Sequence, residues 1–178
     1  MFRKFIITAL FLFSATIGIA AEGSRVQALV LPGHGTINFT VPSSWKSEIE
    51  QPPNGLPPTI TFSQENGPTF RVLVTPMWQP RSDMQLPEGD SLQKMVQQSS
   101  EEIQKNAANK ITVQRLGNTG YYYFAVDPAP KPGEWANLTQ GMARQSVLLL
   151  NFTVLTNNGQ EQVVAQALRA IETAAHAP

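Results

Sequence analysis

Cysteine is absent from the 178-residue chain, and that absence removes thiol nucleophiles, thiolate metal sites, disulfides and redox chemistry together. It also excludes a lipoprotein, since lipid attachment at a bacterial lipobox needs a thiol. Histidine is nearly absent. His34 lies in the turn Gly33-His34-Gly35, His176 lies three residues from the C-terminus, and neither has a ligand partner in sequence. His34 therefore reads as a solvated turn residue and His176 as part of a frayed tail. No G-x-S-x-G elbow or S-x-x-K tetrad occurs, and no histidine is placed to activate Ser43, Ser44 or Ser63. Gly33 and Gly35 lack the third glycine and the helix that a dinucleotide loop requires. Internal repeats and low-complexity tracts are missing, and no run of 18 apolar residues follows the first 20.

What is present begins with an address. Arg3 and Lys4 precede an uncharged run from Phe5 to Ala20, densely apolar to Phe13, and Gly18-Ile19-Ala20 supplies small residues before Ala21. Residues 1–20 are thus expected to be a signal peptide cleaved after Ala20, leaving residues 21–178 as one periplasmic or secreted domain. An uncleaved anchor is the competing reading, against which Ser14, Thr16 and Gly18 interrupt the run. Loss of Arg3 and Lys4 from a chain with 13 basic and 13 acidic residues leaves two more acids than bases. Nucleic acid and anionic lipid are therefore not expected partners.

Hydrophobic period gives the elements. Thr36 to Val41 alternates, with Ile37, Phe39 and Val41 on one face, and reads as a half-buried strand ended by Pro42. Thr59 to Ser63 and Phe70 to Thr75 alternate likewise, while residues 21–27 read as a loose leader. From Leu92 the period becomes helical through Met95, Val96 and Ile103, with Asp90 and Gln93 in the form of a capping box and Glu101 and Lys105 spaced as an exposed pair. Ile111 to Leu116 and Tyr121 to Val126 flank a turn at Gly117-Asn118-Thr119-Gly120. Gln145 to Leu155 is apolar or β-branched at most positions and is expected to be the most buried strand, in the middle of the sheet. A last helix is expected over about 160–175, with Val164, Leu168, Ile171 and Ala175 on one face and Asn158 and Glu161 as its capping box.

The order βββαβββα predicts an α+β fold, an antiparallel sheet of about six strands packed with two main helices. That order, the Val41-Pro42 strand end followed by Trp45, the hairpin into Tyr121 to Phe124, and the long strand Ser146 to Val154 before the final helix resemble the Mog1/PsbP-like fold, which includes small exported bacterial domains. The resemblance implies a binding or assembly module without catalytic residues, because PsbP-type proteins support membrane complexes and Mog1-type proteins bind protein partners.

Contact chemistry is concentrated in the loops. Trp78 near Arg81, and Trp135 near Lys131 and Glu134, place tryptophan and cations in proline-rich segments, the residue types enriched at interface hot spots. Each indole either anchors a partner or folds back over a sheet edge, and the sequence leaves both open. Trp45 reads as core. Asp83, Glu88 and Asp90 form the densest carboxylate group, able in principle to hold Ca²⁺, but Asp90 serves as a cap and the spacing is not that of an EF-hand. The N-x-Thr triplets at Asn38, Asn137 and Asn151 read as composition. The sequence thus predicts a non-catalytic extracytoplasmic module acting through Trp78, Arg81, Lys131 and Trp135 on a protein partner, with no catalytic residue, metal or cofactor. A small-ligand or divalent-cation binder using residues 77–90 and 127–135 is the alternative, and an enzyme with an unrecognised site the third.

Overall fold

Strict alternation in residues 36–42 and 59–64 makes two apolar faces that have to be buried, and they are buried against each other. The computed structural model describes residues 23–53, 55–67, 69–79 and 85–178. The expected signal peptide with its cleavage point, Arg81 and Asp83 lie outside the described residues.

The chain runs β1 (Ser24–Val30), β2 (Thr36–Pro42), β3 (Trp45–Glu50), β4 (Thr59–Gln64), β5 (Arg71–Met77), α1 (Gly89–Gln104), β6 (Gln114–Leu116), β7 (Gly120–Val126), β8 (Asn137–Gln145), β9 (Leu148–Thr156), α2 (Glu161–Glu172) and β10 (Ala175–Ala177). These strands form a three-stranded sheet, β1-β2-β10, and a seven-stranded sheet, β3-β4-β5-β9-β8-β7-β6, with every pairing antiparallel. The fold is α+β. β9 is the fourth of seven strands, so the expected position of the apolar run in mid-sheet is met.

One face of the large sheet makes the main core. Ile37, Phe39 and Val41 of β2 and Ala167, Ala170 and Ile171 of α2 pack with Ile60, Phe62, Val72, Val74, Phe152 and Val154. Aromatic rings lock the layers: Phe39 meets Phe62 edge-on at 5.3 Å, and Trp45, 3% exposed, lies 4.8 Å from Phe70. Such pairs add about 0.5–1.5 kcal/mol beyond their burial. Trp45 is core, as expected. The other face is covered by α1 over β7 and β8.

Several expectations are corrected. β1 occupies residues expected to be loose. Its alternation is inverted, with Val26 and Val30 exposed and Leu29 buried, so it carries no conventional strand pattern. β3, β8 and β10 are also additional strands, and the strand expected over 145–155 is the second arm of a hairpin that turns at Ser146 and Val147. Ser146 has φ +56°, a left-handed conformation filled here without glycine. Residues 111–113 are not strand.

The α1 box is made by Glu88 and Ser91 rather than Asp90 and Gln93. The Glu88 N–H donates to Ser91 Oγ (3.0 Å) and the Ser91 hydroxyl donates to the Glu88 carbonyl (2.7 Å). The buried α1 residues are Leu92, Val96 and Ser100, and Met95 is exposed. Lys105 pairs with Glu102 rather than Glu101, an exposed contact of little energetic weight. α2 starts after Gln160 without the Asn158 box, because the Asn158 side-chain oxygen accepts from Asn137 Nδ2 (3.2 Å). It ends at Glu172, so Ala175 and His176 belong to β10, which pairs Ala175, His176 and Ala177 with Asn38, Ile37 and Thr36.

Candidate functional site

The proline-rich segment after β7 has no periodic pattern, and its order comes from local hydrogen bonds. The Ala129 N–H donates to Asp127 Oδ1 (2.8 Å), the Lys131 N–H to Glu134 Oε2 (3.0 Å) and the Glu134 N–H to the Lys131 carbonyl (2.9 Å). The base of the loop is closed by the Asp127 N–H on the Ala136 carbonyl (2.9 Å). A loop self-satisfied in this way holds its side chains in place without burying them.

Beside it, the chain leaving α1 is pinned to β7. Asn109 donates to the Phe124 carbonyl (3.0 Å) and accepts from the Val126 N–H (2.8 Å), and the Ala108 N–H donates to the Val126 carbonyl (2.8 Å). Between the two segments lies a groove of about 440 Å³, with Ile103 and Ala107 on one wall, Pro128 and Trp135 on the other, and Leu138 and Leu155 of the sheet between them. It is mainly apolar. Trp135 is half-buried, and its indole N–H has no partner among the described residues. Lys131 stands exposed in the same loop, its ammonium likewise without a described partner.

Trp78 is elsewhere. It follows Met77, which pairs with Leu149, whereas Trp135 lies near Arg71 and Leu155 at the other end of β5 and β9. Six residue steps of extended strand separate the ends by about 20 Å. The structure therefore joins Lys131 and Trp135 but does not bring Trp78 to them. Trp78 is half-buried against the core and stacks on His34, with ring centroids 3.8 Å apart and planes 21° apart. This corrects the expectation for His34, which is a packed ring rather than a solvated one. His176 is corrected too. Its Nε2 donates to the His34 carbonyl (2.7 Å), which fixes the proton on that nitrogen, and its Nδ1 is buried without a partner.

Among the described residues no group of three or more His, Asp or Glu side chains is placed to hold a metal ion, and Glu88 and Asp90 are both exposed at the start of α1. Among the described residues the one titratable group moved clearly from its ordinary value is Tyr123, whose buried phenol is pushed up by desolvation, partly offset by the Ser99 hydrogen bond. Its hydroxyl donates to Gln140 Oε1 (2.6 Å) and accepts from Ser99 (3.0 Å), joining α1 to β7 and β8. That network is structural.

Tyr123→Phe strands both partners and is expected to cost about 1–3 kcal/mol at neutral pH. Because the folded state raises this pKa, the phenol's contribution is complete below the ordinary value of 10.0 and is lost as pH rises through the folded value. Urea midpoints measured from pH 7 upward should fall less steeply in the alkaline range for Tyr123→Phe than for the wild type. Parallel curves would refute a buried neutral phenol.

The fold is similar to that of a crystallised protein from Bacteroides thetaiotaomicron, with a TM-score of 0.51 and 10% identity, over 80% of this chain and 45% of that one. The chain thus spans less than half the length of that protein. It is also similar to the solution structure of cyanobacterial PsbP (CyanoP) from Synechocystis sp. PCC 6803, with a TM-score of 0.49, 12% identity and coverage of 90% and 96%. LpqN, involved in cell envelope biogenesis of Mycobacterium tuberculosis, gives 0.46, 15%, 87% and 92%. At these identities the likeness is one of fold alone, and a PsbP structure is among those this chain is similar to. No protein-family model and no curated protein matches the sequence. Among the described residues no helix is long and apolar enough to cross a membrane.

Proposed function

We propose that this chain is exported with residues 1–20 removed after Ala20, and that residues 21–178 act outside the cytoplasm as a non-catalytic binding module for a protein partner. The observation that carries the reading is the groove beside Trp135. It is mainly apolar, its walls are fixed by hydrogen bonds, and Trp135 lines it with an indole N–H that has no partner among the described residues, while Lys131 stands exposed in the same loop. A volume of about 440 Å³ suits one or two large apolar side chains of a partner, with Trp135 as the aromatic anchor and Lys131 at the polar rim. Trp78 lies at a separate end of the sheet, and the secondary contact proposed for Trp78 and Arg81 rests on the sequence pattern alone.

The same volume lies within the range of small-molecule pockets, so a small apolar ligand in this groove is the second reading. Both are tested by expressing the full chain in a Gram-negative host, crosslinking from a photoreactive residue at Lys131, and sequencing the mature N-terminus. The expected result is a mature form starting at Ala21 and a reproducible crosslinked protein. Trp135→Ala should lower its recovery by about tenfold or more while leaving the melting curve near that of the wild type. A retained Met1 would overturn the processing. Equal recovery from Trp135→Ala would overturn the groove as the partner site, and a bound small molecule without a protein would favour the second reading.

A further inference from the structure

The opposite end of α1 carries a second depression of different chemistry. Glu88, Gly89 and Leu92 at the helix start, Arg115 of β6, Tyr121 of β7, Asn118 and Thr119 of the turn between them, and Arg144 of β8 enclose about 360 Å³. Sheet register puts the cations there. Arg115 pairs across Tyr121, Tyr121 pairs across Met142, and Arg144 is two residues beyond Met142, so all point to the face that α1 covers.

Among the described residues neither arginine meets a carboxylate. Among the described residues the ion pairs are Lys46 with Glu48 and Lys105 with Glu102. Arg144 instead donates to two backbone carbonyls, those of Leu86 and Ser146, at 3.1 Å each. These bonds fix its plane and leave guanidinium N–H groups to spare. Arg115 is exposed and has no described partner. Beside them the Thr119 hydroxyl oxygen is buried and has no hydrogen-bond partner among the described residues, and the start of α1 at Glu88, Gly89 and Leu92 lines the same space. Here two guanidinium forks, a hydroxyl, a phenol and the start of α1 converge, with Glu88 the one carboxylate among the described residues of the lining.

We propose that this depression binds a small oxyanion, a carboxylate- or phosphate-bearing ligand, held by Arg115 and Arg144. Planar guanidinium groups match the paired oxygens of either group, and the Thr119 hydroxyl supplies a further donor. Glu88 then limits affinity, and the geometry assigns it no bond to the ligand.

The test is an NMR titration of the wild type at low ionic strength with citrate and, separately, inorganic phosphate. Saturable shifts confined to residues 86–92, 115–121 and 144 are expected with at least one probe. Citrate alone would identify the carboxylate source and phosphate alone the phosphate source. Arg115→Gln, at an exposed position that supports no other group, should weaken binding about tenfold or more, and Arg115→Lys should recover only part of the loss. Glu88→Gln keeps the backbone contacts of the cap and should tighten binding severalfold, a gain that no structural role of Glu88 would give. Absence of saturation with both probes by about 10 mM, in the millimolar range of the weakest specific complexes, would overturn the proposal. Equal affinity of Arg115→Gln and wild type would overturn it as well.

Discussion

Phe152→Ala is expected to cost about 3–5 kcal/mol, a large part of the roughly 5–15 kcal/mol that holds a domain folded. Phe152 is 1% exposed on the fourth of seven strands, flanked in register by Val74 and Gly141, and it lies in the core that Ala167, Ala170 and Ile171 of α2 help to close. Neighbours on rigid strands cannot move into the space left by the ring, so the cavity term adds to the lost transfer energy. At about 2–4 °C per kcal/mol for a chain of this size, the melting temperature should fall by about 6–20 °C. Phe152→Leu, which keeps most of the volume, should lose much less. A loss below about 1 kcal/mol for the alanine variant would mean that the two layers do not close over this ring.

Gly141→Ala is expected to destabilise by about 3 kcal/mol, the upper end of the usual overpacking range. Propensity alone predicts the reverse, since glycine in a strand interior is worse than alanine by about 0.5–1 kcal/mol. The structure decides the sign. A methyl group at Gly141 would collide with the Tyr121 carbonyl oxygen and would sit 2.6 Å from the Phe152 ring and 2.7 Å from Tyr122 Cβ. The ring can be shortened, whereas the Tyr121 carbonyl belongs to the β7 backbone paired with β8 and cannot retreat without opening it. In a double-mutant cycle with Phe152→Leu, part of the Gly141→Ala cost should disappear, a coupling of about 1 kcal/mol. Denaturant midpoints of the four proteins measure it. A stabilised Gly141→Ala would contradict the close approach of β7 and β8.

These two positions also show where sequence reading reaches. Phe152 stands in an apolar run long enough to announce a buried central strand, and β2, β4 and β5 announce themselves by alternation with one buried face. β8 does not. Its sequence Asn137 to Gln145 is largely polar because one side faces α1 through Gln140 and the other must leave room at Gly141 for the neighbouring ring. β1 turns its valines outward, and β3 carries Lys46, Glu48 and Glu50, so neither offers the pattern of a half-buried strand. The turn at Ser146 uses a left-handed residue that is not glycine, which hid the hairpin.

The same limits apply to the sites. Tryptophan beside a cation in a proline-rich loop directed attention to Trp135 and, by the same pattern, to Trp78, although the two lie at opposite ends of β5 and β9. The arginine depression was invisible because Arg115 and Arg144 are 29 residues apart and meet only through the register of three strands.

β10 gives the molecule a timetable. His176 bonds the carbonyl of His34 from 142 residues away, and β10 closes on the edge of β2 that β1 leaves open. During vectorial synthesis β1 and β2 can pair early, since only a short turn separates them, but the third strand of that sheet is made only after α2. Every intermediate chain length therefore presents the bare backbone edge at Thr36, Ile37 and Asn38, and the contact that covers it is among those of longest loop closure. A chain that stalls before Ala175 keeps that edge exposed, in a form suited to capture by a chaperone or to pairing with another unfinished copy.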